Sequence, residues 1–141
     1  MLTINIICTG KIKEKFFRDA VDEYSKRLSK YCKLNILELP DEKIPDKLNS
    51  SISEEIKNKE CKNVLEHIKK DSYIICLDLK GKQLSSEEFS KNIENISMQS
   101  SNITFIIGGW KTFKYFKPKD LFFKNDFSSP INTNIFTRTN L

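Results

Sequence analysis

Hydrophobic and polar positions follow two recurring patterns along this chain. Runs rich in β-branched residues at 2–9, 34–39, 73–79 and 102–107 predict buried strands. The stretches between them place apolar residues at three- and four-residue spacings, which predicts amphipathic helices. Strands that alternate with helices predict an α/β fold, with a mostly parallel sheet and helices on both faces. Ligands of such sheets bind outside the carboxyl ends of the strands.

The sequence predicts three helices, and two of them begin at capping boxes. The first covers residues 13–31, and the second runs from a serine–glutamate capping box at 51–54 to about residue 70. The third opens at a second capping box, at 85–88, after a predicted turn at 80–82. The residues expected on the inner helix faces are Phe16, Phe17, Ala20, Val21, Tyr24, Leu28 and Tyr31 in the first helix and Ile56, Val64, Leu65 and Ile68 in the second.

Composition places the chain among ordinary soluble proteins. Its 141 residues include 38% apolar and 30% charged side chains, which excludes global disorder and collagen-like classes. No apolar run approaches the roughly 18 residues of a membrane span, and the N-terminus lacks the layout of a signal peptide. We therefore expect a cytoplasmic protein.

Cysteine and histidine usage argues against metal chemistry. The four cysteines include no CxxC pair, so we expect small buried hydrophobic side chains with reduced thiols. The single histidine, His67, is expected at the surface and makes Ser-His-Asp catalysis hard to build. The sequence therefore predicts no metal site.

The character of the sequence changes after Gly109. Residues 110–141 contain no Gly, Ala, Val or Glu, yet they hold six of the ten phenylalanines. They carry a net charge of +4, whereas residues 1–109 carry +1, so most of the basic excess lies in this last part. From residue 128 onward no strand or helix period is sustained. We therefore treat 1–109 as an α/β domain and 110–141 as a separate segment.

Several blocks of residues 1–109 are similar, in order and spacing, to one family. They are TGKIKEKFFRDAVDEYSKRL, ILELPDEKIP, IICLDLKGKQLSSEEF and NITFIIGG. Together they resemble the ribosomal RNA large subunit methyltransferase H family, which belongs to the SPOUT class of trefoil-knotted methyltransferases. The resemblance implies a homodimer that uses S-adenosylmethionine to methylate N3 of a pseudouridine in large-subunit (23S) rRNA of the ribosome.

The resemblance also implies residues for the cofactor site. Leu77 matches a leucine whose backbone lines the cofactor pocket, and Gly108 matches a glycine whose missing side chain allows close approach. Gly109 follows Gly108 in the same block and is assigned to the pocket with it. No residue is nominated as a general base.

Basic residues around the first helix are candidates for the substrate. Lys11, Lys13 and Arg18 are candidate contacts to rRNA phosphates, although a solvated helix face explains the same residues equally well.

The family's third cofactor segment, similar to LSFSKMTFPHQL and followed by EQ.YRAF, is missing from residues 110–141. When residues 125–141 are written in AT-rich codons and read one nucleotide later, the same DNA encodes MTFPHQLIRIFLLEQI. We therefore hypothesise that the reading frame shifted near Gly109. Residues 110–141 then replace the family's cofactor loop and last helix. The chain is expected to bind cofactor poorly, to dimerise poorly and to lack the segment that forms the knot.

Two readings from other classes stay open at this point. One is a non-catalytic RNA- or ribosome-binding α/β module that has lost its cofactor site, which the missing MTFPHQ segment favours. The other is a nucleotide-binding α/β protein with an uncharacterised ligand. The chain contains no GxGxxG motif, which disfavours a Rossmann-type dehydrogenase or methyltransferase.

Overall fold

A parallel sheet with strand order β2-β1-β4-β3-β5 organises the structure. The computed structural model describes residues 1–40, 45–47, 49–107 and 124–126, with the side chains of 78–83 and 124–126 left aside. Within those residues the strands are β1 (Leu2–Thr9), β2 (Cys32–Leu39), β3 (Tyr73–Gln83), β4 (Asn102–Ile107) and β5 (Lys124–Asp126). The helices there are α1 (Lys15–Leu28), α2 (Ser50–Glu66) and α3 (Ser86–Gln99).

Helices cover both faces of the sheet, and each face has its own core. Residues 103–107 of β4 are all buried, as expected of a central strand enclosed on both sides. The α2 face buries Ile7, Leu39, Cys61, Val64, Cys76 and Ile106. The α3 face buries Ile75, Leu77, Ile96, Ile103, Phe105 and Ile107. The predicted α/β class, with a mostly parallel sheet and helices on both faces, is confirmed.

Local sequence signals placed some elements correctly. The bounds of β1 and β4 agree with the predicted runs at 2–9 and 102–107. The capping box of α3 is also confirmed. Glu88 N donates to Ser85 Oγ at 3.2 Å, and Ser85 N donates to Glu88 Oε2 at 2.8 Å.

Removing this cap is expected to destabilise the protein measurably. Ser85→Ala leaves the Glu88 N–H without its acceptor and should lower the free energy of unfolding by about 1 kcal/mol. Urea denaturation followed by circular dichroism measures the change. Ser86→Ala, at the exposed next position, is the control and should have a smaller effect. Equal losses in the two variants would contradict a stabilising role for the cap.

The predicted start and end of α2 are wrong. The N-cap is Asn49 rather than Ser51, because the Asn49 side chain accepts a hydrogen bond from Ile52 N at 2.8 Å. Asparagine caps as well as serine does, so the helix begins two residues earlier than the predicted capping box suggested. The helix ends at Glu66, and the predicted inner residue Leu65 is 45% exposed.

The inner face predicted for the first helix is also wrong in part. No residue of α1 is buried, and Phe16 and Tyr24 are 65% and 50% exposed. The element that α1 mainly contacts is β2, the edge strand of the sheet. A helix over an edge strand has little sheet beneath it, so part of its apolar stripe faces solvent.

The predicted turn at 80–82 is replaced by strand. β3 continues to Gln83, and its pairing with β5 shifts register between Leu77 and Lys82. Pairing with β5 extends β3 beyond Leu77, where its pairing with β4 ends. β5 itself lies in the segment 110–141, for which the sequence predicted no element. The other residues of that segment, and with them the knot, lie outside the described residues.

Candidate functional site

The carboxyl end of β4 lies beside Leu77 of β3, the residue where the pairing of these two strands ends. Leu77 and Ile107 are register partners in the parallel pairing of these strands. On the other side of β4, Ile106, the residue before Ile107, pairs with Ile7 of β1. Leu77 and Ile107 are 8% and 6% exposed and belong to the same core cluster on the α3 face. Leu77 and the carboxyl end of β4 therefore form one apolar floor, near the edge at which parallel sheets generally bind ligands.

A fixed core supports this floor. Ile75 and Ile103 have no exposed surface, and Phe89 of α3 packs with its ring centroid 6.0 Å from that of Phe105. Close-packed side chains of this kind hold the neighbouring backbone in one position. Leu77 also stands where the pairing of β3 with β5 loses its regular register, and such irregularities redirect backbone groups away from the ladder.

The structure places only part of the predicted cofactor site. Leu77 stands beside Ile107, the residue that precedes Gly108. Gly108 and Gly109 themselves lie outside the described residues. The pairing of Leu77 with Ile107 agrees with a shared pocket, while the cofactor role of Leu77, Gly108 and Gly109 stays a prediction.

The candidate substrate-contacting residues lie beyond the carboxyl end of β1. Gly10 ends this strand with a φ of 96°, a left-handed conformation that favours glycine, and its N–H donates to Leu39 O at 2.6 Å. Lys11 and Lys13 follow in the exposed link to α1, and neither has an ion-pair partner among the described residues. Arg18 is exposed, and its guanidinium donates to Ile12 O at 2.6 Å. That bond ties Arg18 to the link.

Two carboxylates on neighbouring elements were missed by sequence reasoning. Glu38 near the end of β2 and Glu14 at the start of α1 are half-buried. Each has one buried carboxylate oxygen that accepts no hydrogen bond from the residues that the structure describes. The available signal was Glu38 itself, a charged residue inside the apolar run LNILEL. Buried acceptors of this kind are unusual, since they forgo the hydrogen bonds that water would supply.

Three of the four cysteines are core residues, and one of them, Cys76, directly precedes Leu77 in β3. Cys32, Cys61 and Cys76 are buried, and burial raises the pKa of the Cys32 thiol. His67 is exposed, as predicted, with its Nδ1 2.7 Å from Asn63 O. In the described part of the chain, no three His, Cys, Asp or Glu side chains group as metal ligands would. No described helix is long and apolar enough to cross a membrane.

Comparison with known families assigns this α/β domain to a class of enzyme. The family described as "Predicted SPOUT methyltransferase" matches residues 2–115, which is most of the chain. The chain belongs to the SPOUT methyltransferase family. The class of enzyme is accordingly that of the methyltransferases.

Individual relatives carry names that are more specific than that of the family. A Clostridium botulinum (strain 657 / Type Ba4) protein named "Ribosomal RNA large subunit methyltransferase H" is 60% identical over 111 residues, which cover 77% of this chain and 69% of that protein. A Clostridium perfringens (strain SM101 / Type A) protein named "Ribosomal RNA large subunit methyltransferase H 1" is 54% identical over 109 residues, with the same coverage. The expected resemblance is therefore confirmed, and the hypothesis of a shifted frame stays a prediction.

Proposed function

We propose that this chain is an S-adenosylmethionine-dependent methyltransferase of large-subunit rRNA, with N3 of a pseudouridine in 23S rRNA as its target. The observation that carries the proposal is the 60% identity to a relative named as a ribosomal RNA large subunit methyltransferase. The pairing of Leu77 with Ile107 at the end of β4 supports it, because these residues offer a rigid apolar floor near the edge where a parallel sheet binds ligands.

The residues around the floor fit a cationic, partly apolar cofactor. When bound, S-adenosylmethionine supplies the methyl group from its sulfonium centre. Leu77 and Ile107 offer an apolar surface of the kind that an adenine ring packs against, and backbone carbonyls at strand ends suit a positive charge. Gly108 and Gly109 are proposed to let the chain approach the cofactor closely.

The protein's main contribution to such a displacement is geometry. Methyl transfer is in-line, so the rate depends on holding the donor and the nucleophilic nitrogen at near-attack distance. The core beneath Leu77 keeps one wall of the site fixed, since Ile75 and Cys76 are fully buried. Lys11, Lys13 and Arg18 are proposed to contact rRNA phosphates and so to orient the target base.

The proposal extends to assembly and place of action. We propose a cytoplasmic homodimer that acts on the ribosome, as the resemblance implies. The exposed apolar residues of α1, such as Phe16 at 65%, agree with a protein that buries more surface in a complex.

A second candidate follows from residues 110–141. Since the MTFPHQ segment is absent there, the chain could serve as an RNA- or ribosome-binding module without cofactor. Calorimetric titration with S-adenosylmethionine, together with a filter-binding assay on rRNA, separates the candidates. RNA binding with no cofactor binding supports the module, and binding of both supports the enzyme.

The enzyme proposal is tested by methyl transfer. The purified chain is incubated with large ribosomal subunits that lack the modification. Radiolabelled S-adenosylmethionine is supplied at a concentration high enough to offset the weak cofactor binding that we expect of a chain without the MTFPHQ segment. Label that appears at N3 of a 23S pseudouridine supports the proposal. Label at another nucleotide, or in protein, would contradict it. A Gly108→Val variant is the matched control, because a side chain there should block cofactor approach and abolish incorporation.

A further inference from the structure

A basic surface lies at the end of the domain opposite the candidate cofactor site. Residues 26–33, which we name the α1–β2 corner, join the last turn of α1 to the start of β2. Their sequence KRLSKYCK contains four basic residues and no acidic one. The exposed cations of this corner are Lys26, Arg27, Lys30 and Lys33.

Most of these cations are not neutralised. Arg27 pairs with Glu23 at 2.9 Å, while Lys26, Lys30 and Lys33 have no ion-pair partner in the described ranges. Lys26 lies in the last turn of α1, where the negative end of the helix dipole stabilises its positive charge. Lys30 lies beyond the helix and Lys33 on the adjoining strand, so the dipole does not account for them.

An aromatic side chain stands among the charges. Tyr31 is 77% exposed, and its N–H donates to Leu28 O at 2.9 Å, so a tight turn fixes its backbone. Leu28 is itself 41% exposed. Packing within the described part of the chain therefore does not explain why an aromatic ring lies between Lys30 and Lys33. Rings flanked by cations are the surfaces on which unpaired nucleobases stack.

We propose that the α1–β2 corner is a second RNA-contacting surface, with Lys30 and Lys33 on phosphates and Tyr31 stacked on an unpaired base. The inference rests on the proposed rRNA function and deepens it. The 14 residues of α1 separate the corner from the link that carries Lys13 by about 21 Å. The substrate is therefore a folded RNA long enough to reach both ends of α1.

Neutralising the corner tests the phosphate contacts. In filter binding of the full chain to a 23S rRNA transcript, Lys30→Gln/Lys33→Gln should weaken affinity about tenfold or more near 0.1 M salt. The slope of log affinity against log salt should fall by roughly 1.4 to 1.8, since two contacts are lost. The control Lys59→Gln/Lys91→Gln removes two exposed helical lysines elsewhere and should leave the slope unchanged.

Tyr31 tests the stacking contact. Tyr31→Ala should lower affinity about tenfold with no change in salt slope, whereas Tyr31→Phe should retain affinity. Met98→Ala is the control, because Met98 is an apolar side chain of α3 that is 75% exposed. Circular dichroism and thermal unfolding of every variant show whether the fold is intact.

Several results of these experiments would overturn the proposal for the α1–β2 corner. Equal losses in the two lysine pairs, or corner variants that bind RNA normally, would overturn the corner while leaving the rRNA function in place. If the unsubstituted chain binds no 23S RNA, both the corner and the proposed substrate fail. Corner-dependent binding to phosphatidylserine vesicles, with RNA binding unchanged, would assign the surface to membranes and also overturn the proposal.

Discussion

A chain whose residues 110–141 are replaced by the sequence encoded one nucleotide later is expected to bind S-adenosylmethionine at least about 100-fold more tightly than the present chain. The reason is the number of cofactor-lining segments. The present chain retains the segments at Leu77 and Gly108, and the replacement restores the MTFPHQ segment that the resemblance assigns to the same pocket. Isothermal titration calorimetry on both chains measures the difference.

Two comparisons make this test specific. A chain in which residues 110–141 are shuffled at constant composition should bind as poorly as the present one, because order rather than composition supplies the pocket. Gly108→Val in the replaced chain should remove the gained affinity. Equal affinity of the present and replaced chains would contradict the hypothesis, and so would a gene without an alternative frame encoding MTFPHQ.

The elements that sequence predicted well are those with one dominant local cause. β4 is an apolar run interrupted only by Thr104, and a strand covered on both faces buries every residue from 103 to 107. The third helix begins where Ser85 and Glu88 satisfy each other's backbone groups, a signal contained within four residues. The pairing of Leu77 with Ile107 agrees with the resemblance, which assigned Leu77 and the neighbouring Gly108 to one pocket.

The predictions that failed concern features that depend on residues far away in the sequence. The exposure of Phe16 and Tyr24 depends on α1 lying over the edge strand β2, which only the strand order determines. β3 reaches Gln83 because β5 pairs with it from beyond residue 109. Glu38 is visible in the sequence as a charge inside an apolar run, but the burial of its carboxylate oxygen depends on neighbours that the fold places around it. Such features depend on tertiary neighbours, which a residue pattern does not contain.

Truncating the centre of the sheet is expected to have the largest effect on stability. Ile106 has no exposed surface and lies between Ile7 and Cys76, its partners on β1 and β3. Its side chain belongs to the core cluster that includes Val64 of α2. Ile106→Ala should lower the free energy of unfolding by about 2–5 kcal/mol, because it removes buried methyl groups and leaves a cavity.

Urea denaturation measures this loss, with Ile36→Ala as the matched control. Ile36 is an isoleucine of the same sheet but is 39% exposed on the edge strand β2, so its truncation should cost clearly less than that of Ile106. If both variants lose the same stability, the core does not centre on β4. In that case the rigid floor at Leu77 and Ile107 would also lose its support, since Ile106 adjoins Ile107 in the strand that carries it.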